Sequence, residues 1–524
     1  MEKKYFNIAG PCVPGKHYML DPLRGIEGEL MELINSGQYF VIHAARQSGK
    51  TTLLLELADR LNASGAYYAL YCSLEAIQGI NDPEKAMPEI VKKIAFRINQ
   101  QGLPGGFEKD ADYGNFSNVL SFAFGQYCRS LDKPLAVFFD EADCLSNGTL
   151  ILFLRQLREG YISRGREPFV HSVALVGMRN IRDYKASIRP DSATLGSASP
   201  FNIVGKSLSL RNFTRDELTE LYAQHSAETG QVFETKAAGY AFEQTQGQPW
   251  LVNAIACECT EEITKKNYAA PVTREMAEEA VQRIILDRGT HVDSLLERLK
   301  ENRVRNIVEP LILGEEVVDT GSDDYLYTRD LGLIRELGST AVPANPIYAE
   351  LMIRALTWNT QRLIGNECKE QEAPHYIKGG RLDMDILLGD FQQYWRENSE
   401  IWKERYRKHY YEYEEAAPHL VLQAFLQRVM NGGGRIIREM ALGSRRADLC
   451  VVFEGRSYPI ELKLFRGEKS INEGITQLSA YMDKMGTDAG WLVLFDRDAA
   501  KPWDEKIYLR KETLNGKTIT VAGC

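Results

Sequence analysis

The sequence predicts an α/β chain built as two successive sheet-and-helix units, and three segments carry that prediction. Gln38-Tyr-Phe-Val-Ile-His43 is a strand-like apolar run that passes through a small-residue loop into Gly49-Lys50-Thr51-Thr52 and a helical pattern reaching Leu61. Leu135-Ala-Val-Phe-Phe-Asp140-Glu141 is a second apolar run, ending in two acids. Far downstream, Asp448 is followed after twelve residues by Glu461-Leu462-Lys463, across two β-branched runs separated by Glu454-Gly455-Arg456. Unbroken apolar runs suit strands covered on both faces, whereas a run, turn, run pattern suits a hairpin.

The first of these segments has the P-loop pattern. Strand, small-residue loop, Gly-Lys-Thr and helix place backbone N–H groups around phosphates at a helix N-terminus, with Lys50 reaching the β/γ-phosphates and Thr51 taking Mg²⁺. The loop starts at Ala44 where the usual pattern has glycine, a small substitution. The expected nucleotide-binding residues are Ala44, Gly49, Lys50, Thr51, Thr52, Asp140 and Arg179. Asp140 would hold the Mg²⁺ of ATP through water, and Glu141 would polarise the attacking water. Ser172-Val-Ala-Leu-Val-Gly177 reads as a third parallel-type strand, after which Arg179 or Asn180 could sense a γ-phosphate. Residues 20–35 read as an amphipathic helix leading into the first strand. The preceding Gly10-Pro-Cys-Val-Pro-Gly-Lys-His-Tyr18 is either an arm that wraps the adenine or a plain N-terminal arm.

Further along, Thr214-Arg-Asp-Glu217 is a capping box that opens a series of small helices over 210–265. Thr245-Gln-Gly247-Gln-Pro249-Trp-Leu-Val252 starts a helix behind a glycine and a proline. Together these segments resemble the AAA-like ATPases of the STAND and archaeal type, over roughly residues 1–360. The resemblance implies ATP and Mg²⁺ as ligands, Lys50, Thr51, Asp140 and Glu141 as the nucleotide chemistry, and a homo-oligomer through the ATPase domain. In such an assembly a neighbour often lends an arginine; Arg182, Arg189 and Arg211 are candidates, or ordinary surface pairs. Helices from 270 followed by strand-like Tyr325-Leu-Tyr327 and Gly332-Leu-Ile334 suggest a winged-helix module, which binds DNA or packs against protein.

The downstream hairpin has a register that can be counted. With the turn centred on Glu454-Gly455, partners sum to 909, so Asp448 faces Glu461 across the strands with side chains about 5 Å apart. Lys463 shares their face, while Ile460, Leu462 and Leu464 point into a core. Two adjacent carboxylates repel unless neutralised, and oxygen ligands suit Mg²⁺ or Mn²⁺. The alternative is a salt-bridged hairpin on an ordinary sheet. This Asp…Glu-x-Lys constellation, with its flanking helices, resembles the PD-(D/E)xK nuclease superfamily. The resemblance implies Glu415, Asp448 and Glu461 as metal ligands, with His419 one turn from Glu415, and Asp448, Glu461, Lys463 and Gln477 as catalytic residues. Gln477 and Tyr481 lie four apart on a helix after the hairpin. It implies a nucleic-acid substrate, DNA before RNA; joined to the ATPase resemblance, it suggests a role in defence against phage or plasmids, with DNA repair second. Arg435, Arg438, Arg445, Arg446, Arg456, Lys463, Arg466 and Lys469 surround the hairpin and could follow a phosphate backbone.

The expected organisation is an ATPase core over 1–208, a helical lid over 209–268, a winged-helix-like module over 269–360, a helical connector over 361–410 and a nuclease domain over 411–524. Length supports this division, since 524 residues exceed what one core organises. Net charge of −9 argues against nonspecific coating of nucleic acid. The absence of a long apolar run or a signal-type start leads to an expected cytoplasmic location. Nine cysteines without metal-ligand spacing, Cys257 and Cys259 among them, are expected as reduced thiols.

Overall fold

The computed structural model describes residues 3–107, 115–177, 204–287, 290–312, 320–338, 340–352, 355, 373–407, 421–423, 425–426, 434–441, 446–465, 467–496, 498 and 500–524. It divides into two compact units, residues 1–304 with 319–350, and residues 305–318 with 351–524. No helix among the described residues is long and apolar enough to cross a membrane. Cys257 and Cys259 are free thiols.

The first unit opens with α1 (Glu27–Asn35), β1 (Tyr39–His43), α2 (Lys50–Ser64), β2 (Tyr68–Ser73), α3 (Pro83–Gln100) and α4 (Val119–Arg129). It continues with β3 (Leu135–Asp140), α5 (Asn147–Ser163), β4 (Ser172–Gly177) and β5 (Val204–Ser209). The five strands form a parallel sheet in the order β2-β3-β4-β1-β5. Parallel strands need covered faces, and the period of two divides their side chains between two cores. Tyr39, Val41, Val137 and Phe139 enter the core of α3, α4 and α5, while Phe40, Ile42, Ala136 and Phe138 enter that of α1 and α2. The helix expected over 20–35 is confined to α1. Asp21 accepts the Leu23 N–H at 3.0 Å, and Gly25 has φ +71°, so a turn precedes the helix instead.

Strand β2 ends the sheet, and its free edge is closed by two side-chain amides. Asn62 exchanges two hydrogen bonds of 2.9 Å with the backbone of Ala69. Gln101 accepts the Tyr71 N–H at 3.1 Å and donates to the Tyr71 carbonyl at 2.7 Å. Each amide occupies the place of a neighbouring strand's peptide, which satisfies groups that an edge otherwise exposes.

Four helices follow: α6 (Arg215–Thr229), α7 (Thr235–Thr245), α8 (Pro249–Cys257) and α9 (Arg274–Asp287). The capping box at Thr214 and Glu217 is present. The side chain of Gln248 caps α8 by accepting the Leu251 N–H at 2.6 Å, with Pro249 at the first position. Helices α10 (Thr290–Arg298), α11 (Asn302–Ile312) and α12 (Asp323–Asp330) precede a two-stranded antiparallel sheet, β6 (Ile334–Leu337) with β7 (Thr340–Pro343). Tyr325-Leu-Tyr327, read above as a strand, lies inside α12. Ser322 caps the helix at Tyr325, and Asp323 and Asp324 suit the positive end of its dipole, which outweighs the β preference of two tyrosines.

The second unit contains a short hairpin, β8 (Ile377–Lys378) and β9 (Arg381–Leu382), and the long helix α13 (Met384–Arg407). Residues 421–423 and 425–426 are helical. Strands β10 (Gly434–Ala441), β11 (Arg446–Phe453) and β12 (Arg456–Leu464) form a meander. Helix α14 (Glu468–Met485) then crosses to β13 (Ala489–Phe495), which is parallel to β12. Helix α15 (Trp503–Lys506), β14 (Tyr508–Leu514) and β15 (Lys517–Gly523) complete a six-stranded sheet in the order β10-β11-β12-β13-β15-β14. Helix α13, read as a connector, buries Phe391, Tyr394 and Trp395 in one core with Ile460, Leu462 and Val493. The opposite face packs Ile471, Ile475 and Leu478 of α14 on Leu492 and Leu494.

Gly247 accounts for the glycine ahead of α8. Its φ is +73°, and a Cβ there would stand 1.9 Å from the Phe213 carbonyl oxygen. Gly247→Ala is expected to lower unfolding free energy by about 3 kcal/mol, from left-handed strain plus the clash. Equilibrium denaturation followed by tryptophan fluorescence measures it. A loss under about 1 kcal/mol, ordinary for a surface change, would show that this loop yields.

Candidate nucleotide site and carboxylate hairpin

At the carboxyl ends of β1 and β3, the parallel sheet brings the two predicted phosphate motifs together. Gly49 takes φ +91° as the N-cap of α2, and Gln47 is also left-handed at φ +58°. These two residues turn the loop so that α2 begins at Lys50. The buried Lys50 ammonium donates to the carbonyls of Ala44 at 2.9 Å and Ala45 at 3.0 Å. Burial pushes its pKa down, opposed by Glu141, Asp143 and Asp140. An ammonium that among the described residues is satisfied by neutral carbonyls, with three acids near it, is poised to transfer to an anionic phosphate.

Thr51 donates its hydroxyl to Oδ2 of Asp140 at 2.7 Å. Asp140 is 1% exposed, and its Oδ1 accepts the N–H of Glu141 at 3.0 Å. With its hydrogen turned to Asp140, the Thr51 oxygen keeps lone pairs for a cation. A hydroxyl beside a carboxylate, open to phosphate oxygens and water, is a donor set that fits Mg²⁺. Glu141 sits at φ +54°, a conformation that costs a non-glycine residue about 1–3 kcal/mol. Its pKa is raised, first by burial and then by Asp143, with Lys50 opposing. Thr52 accepts the Cys12 N–H at 3.0 Å, tying the N-terminal arm to α2.

Beside this loop lies a cavity of about 220 Å³, lined by Cys12 and Tyr18 of the arm, Ser48, Gly49 and Thr52 of the loop and α2, and Pro249 and Asn253 of α8. The helix after the Gly-x-Pro segment therefore meets the loop, and Gln248 donates to the Gln47 carbonyl at 3.4 Å. On the other side, residues from the α10–β7 segment touch the loop. Arg46 donates to Ser294 at 2.5 Å, His43 lies 3.9 Å from Asp330, and a Cβ on Gly332 would meet the Ala45 methyl at 2.4 Å. Arg179, Asn180, Arg182 and Arg189 lie outside the described residues. Arg211 makes a two-pronged ion pair with Glu217, at 2.7 and 2.6 Å, and holds that carboxyl down to about 2. Of the two roles considered for Arg211, the structure shows the pair.

Sequence reading missed two residues here. Asp143 lies against Gly177, whose Cβ would stand 2.8 Å from the Asp143 carboxylate. Its signal was the Asp-Glu-x-Asp spacing. Tyr71 donates to Asp140 at 3.1 Å, and nothing in the β2 sequence marks that contact.

In the second unit, the hairpin has the counted register: Leu449 faces Ile460, Cys450 faces Pro459 and Phe453 faces Arg456. Glu454 at φ +46° and Gly455 at φ +74° form the two-residue turn, with both central residues left-handed. Arg456, read as part of the turn, belongs to β12. Continuing the register sets Asp448 opposite Glu461. Counting between the pairs Arg438–Leu449 and Met440–Ala447 gives Glu439 of β10 the register position beside Asp448, a position sequence reading missed. The side chains of Asp448, Arg435, Arg438 and Arg446 lie outside the described residues, as do Glu415, His419, Arg445 and Arg466 entirely.

Glu461 is 1% exposed and pairs with the Lys463 ammonium at 2.9 Å. Its register partner on β13, Leu492, lies under Gly474 of α14, where a Cβ would be 2.7 Å from the Leu492 side chain. That close approach seats α14 against β13 one turn before Gln477. The Gln477 carbonyl oxygen is buried without a hydrogen-bond donor among the described residues. Tyr481, one turn on, is buried. Lys469 is exposed and only loosely paired with Glu473, at 3.9 Å. No group of three metal-ligating side chains occurs among the described residues.

The chain belongs to the family described as the AAA-like domain, which matches residues 24–353. No curated protein matches it. Among solved structures it is similar to the Walker-type ATPase of Pyrococcus abyssi, with 15% identity over 66% of this chain and 99% of that one, and a TM-score of 0.46. Others are the RuvB Holliday junction branch migration motor of Thermotoga maritima (15% identity, 62% and 94% covered, TM-score 0.34) and Cdc6p from Pyrobaculum aerophilum (15%, 66% and 97%, 0.35).

Lys50→Met is expected to weaken ATP binding about a hundredfold, since a phosphate would lose a charge-assisted partner. Titration with a fluorescent ATP analogue measures this, and a change under threefold would remove Lys50 from the phosphate site.

Proposed function

We propose that this protein is an ATP-regulated, divalent-metal-dependent nuclease, with nucleotide chemistry in the first unit and nucleic-acid cleavage in the second. The reading is supported by the hairpin register, with Leu449 opposite Ile460, which continued by one residue would set Asp448 beside the Glu461–Lys463 pair, in a chain that also holds a P-loop. In the first unit Lys50 and the loop N–H groups would bind phosphates, Thr51 and Asp140 would hold Mg²⁺, and Glu141 would align water for hydrolysis. Arg179 or Asn180, which follow β4 in sequence, would sense the γ-phosphate.

In the second unit Glu415, Asp448 and Glu461 would hold Mg²⁺ or Mn²⁺, which when bound neutralises charge on the scissile phosphate. Lys463 would orient the attacking water and steady the developing charge, and Gln477 would donate its side-chain amide N–H to the substrate phosphate. DNA is favoured over RNA, with a role in defence against phage or plasmids. Ser294, Asp330 and Gly332, from the stretch expected to form a winged-helix module, touch the P-loop, which favours a contact role for that stretch; a homo-oligomer through the ATPase domain is part of the same proposal.

A second reading rests on the ion pair itself. Lys463 already neutralises a buried Glu461, as in a structural pair, and a nucleotide-driven switch whose second unit only binds nucleic acid accommodates this. A cleavage panel of linear, circular and single-stranded DNA and RNA, with Mg²⁺ or Mn²⁺ and with or without ATP, separates the two. Cleavage by the parent protein that is lost in Asp448→Ala and in Lys463→Ala, with ATP affinity unchanged, is expected. ATP hydrolysis without cleavage of any substrate supports the switch, and cutting by both variants removes the assignment.

Glu141→Gln is expected to slow ATP hydrolysis at least a hundredfold while ATP binding persists, the span of a general-base contribution. Single-turnover assays beside equilibrium binding measure both quantities.

A further inference from the structure

Tyr71 lies on β2 facing α2, in the same core as Phe138, and its register partner is Phe138, two residues before Asp140. Its phenol reaches along that face to Oδ2 of Asp140 at 3.1 Å, the oxygen that also accepts Thr51 at 2.7 Å. Oδ1 accepts the Glu141 N–H at 3.0 Å. A carboxylate offers about four lone-pair sites, so three are taken and Oδ2 is full. The Tyr71 backbone is itself fixed, through the paired bonds with Gln101 at 3.1 and 2.7 Å.

We propose that Tyr71 is a positioning residue that keeps Asp140 a water-separated rather than a direct partner of the nucleotide's divalent cation. The inference rests on the nucleotide function proposed above. Filling Oδ2 leaves a cation on the Thr51 side facing a carboxylate oxygen that can act only through water. This arrangement favours Mg²⁺, which gives up its waters reluctantly, over Ca²⁺, which more readily takes protein oxygens directly. Tyr71→Phe keeps the ring in its core and frees one lone pair on Oδ2, so direct ligation becomes available and the preference shifts.

The test is binding of a fluorescent ATP analogue by the full chain, titrated with Mg²⁺ and separately with Ca²⁺, in the parent and in Tyr71→Phe. The ratio of half-saturating Mg²⁺ to half-saturating Ca²⁺ is expected to rise about tenfold in the variant, the scale of one hydrogen bond to a charged group. Analogue affinity in EDTA should stay unchanged. A uniform loss of affinity for both cations, or a ratio within twofold of the parent, overturns the proposal and leaves the nucleotide reading intact. A parent protein whose nucleotide binding ignores divalent cations defeats the nucleotide reading itself. Should Tyr71→Phe fail to fold, Gln101→Met releases the Tyr71 backbone and must move the ratio in the same direction, or the proposal falls.

Discussion

The carboxylate of Asp140 is the constraint on which the first unit depends. It is 1% exposed, and a buried charge without partners costs several kcal/mol. Its partners come from three places far apart in sequence: Thr51 at the start of α2, Tyr71 in β2 and the backbone of Glu141. The bonds from Thr51 and Tyr71 form only if β2 and β3 adjoin in register and α2 starts beside the end of β3. The parallel order β2-β3-β4-β1-β5 provides that arrangement, with β4 between the strand carrying the acids and the strand feeding the loop.

The second unit has its own hinge point, the turn at Glu454 and Gly455. Two left-handed residues make a two-residue loop, and a two-residue loop fixes the pairing of β11 with β12. A slip of one residue would turn Glu461 into the core that holds Ile460 and Leu462, and carry those side chains beneath α14. Burial of the apolar set therefore enforces the position of the charged one. Gly474 completes the arrangement, because only a residue without a side chain lets α14 settle so close above Leu492.

Much of this was legible where chemistry is local. The strand-loop-helix at Lys50, the capping box at Thr214 and the hairpin count at Glu454 each depend on neighbours in sequence, and each is present. What escaped depends on partners brought together by the fold. The bond from Tyr71 to Asp140 spans 69 residues, and no pattern in β2 announces it. Tyr325 and Tyr327 carry strand preferences that a capped acidic helix start overrides. The aromatics of α13 were readable as apolar but not as members of the second unit's core, since that follows from which sheet they meet. Glu439 gains meaning only when β10 is laid beside β11.

The two amides on β2 have a consequence for how copies of this chain can meet. Asn62 and Gln101 leave the outer edge at Ala69 and Tyr71 with no open peptide groups. A strand from another molecule would have to displace two bidentate side chains before forming its first backbone bond there. Growth of this sheet from chain to chain is closed on that side. Assemblies are thereby steered toward contacts of side chains and loops, which can loosen and re-form with bound nucleotide, as a continuous shared sheet cannot.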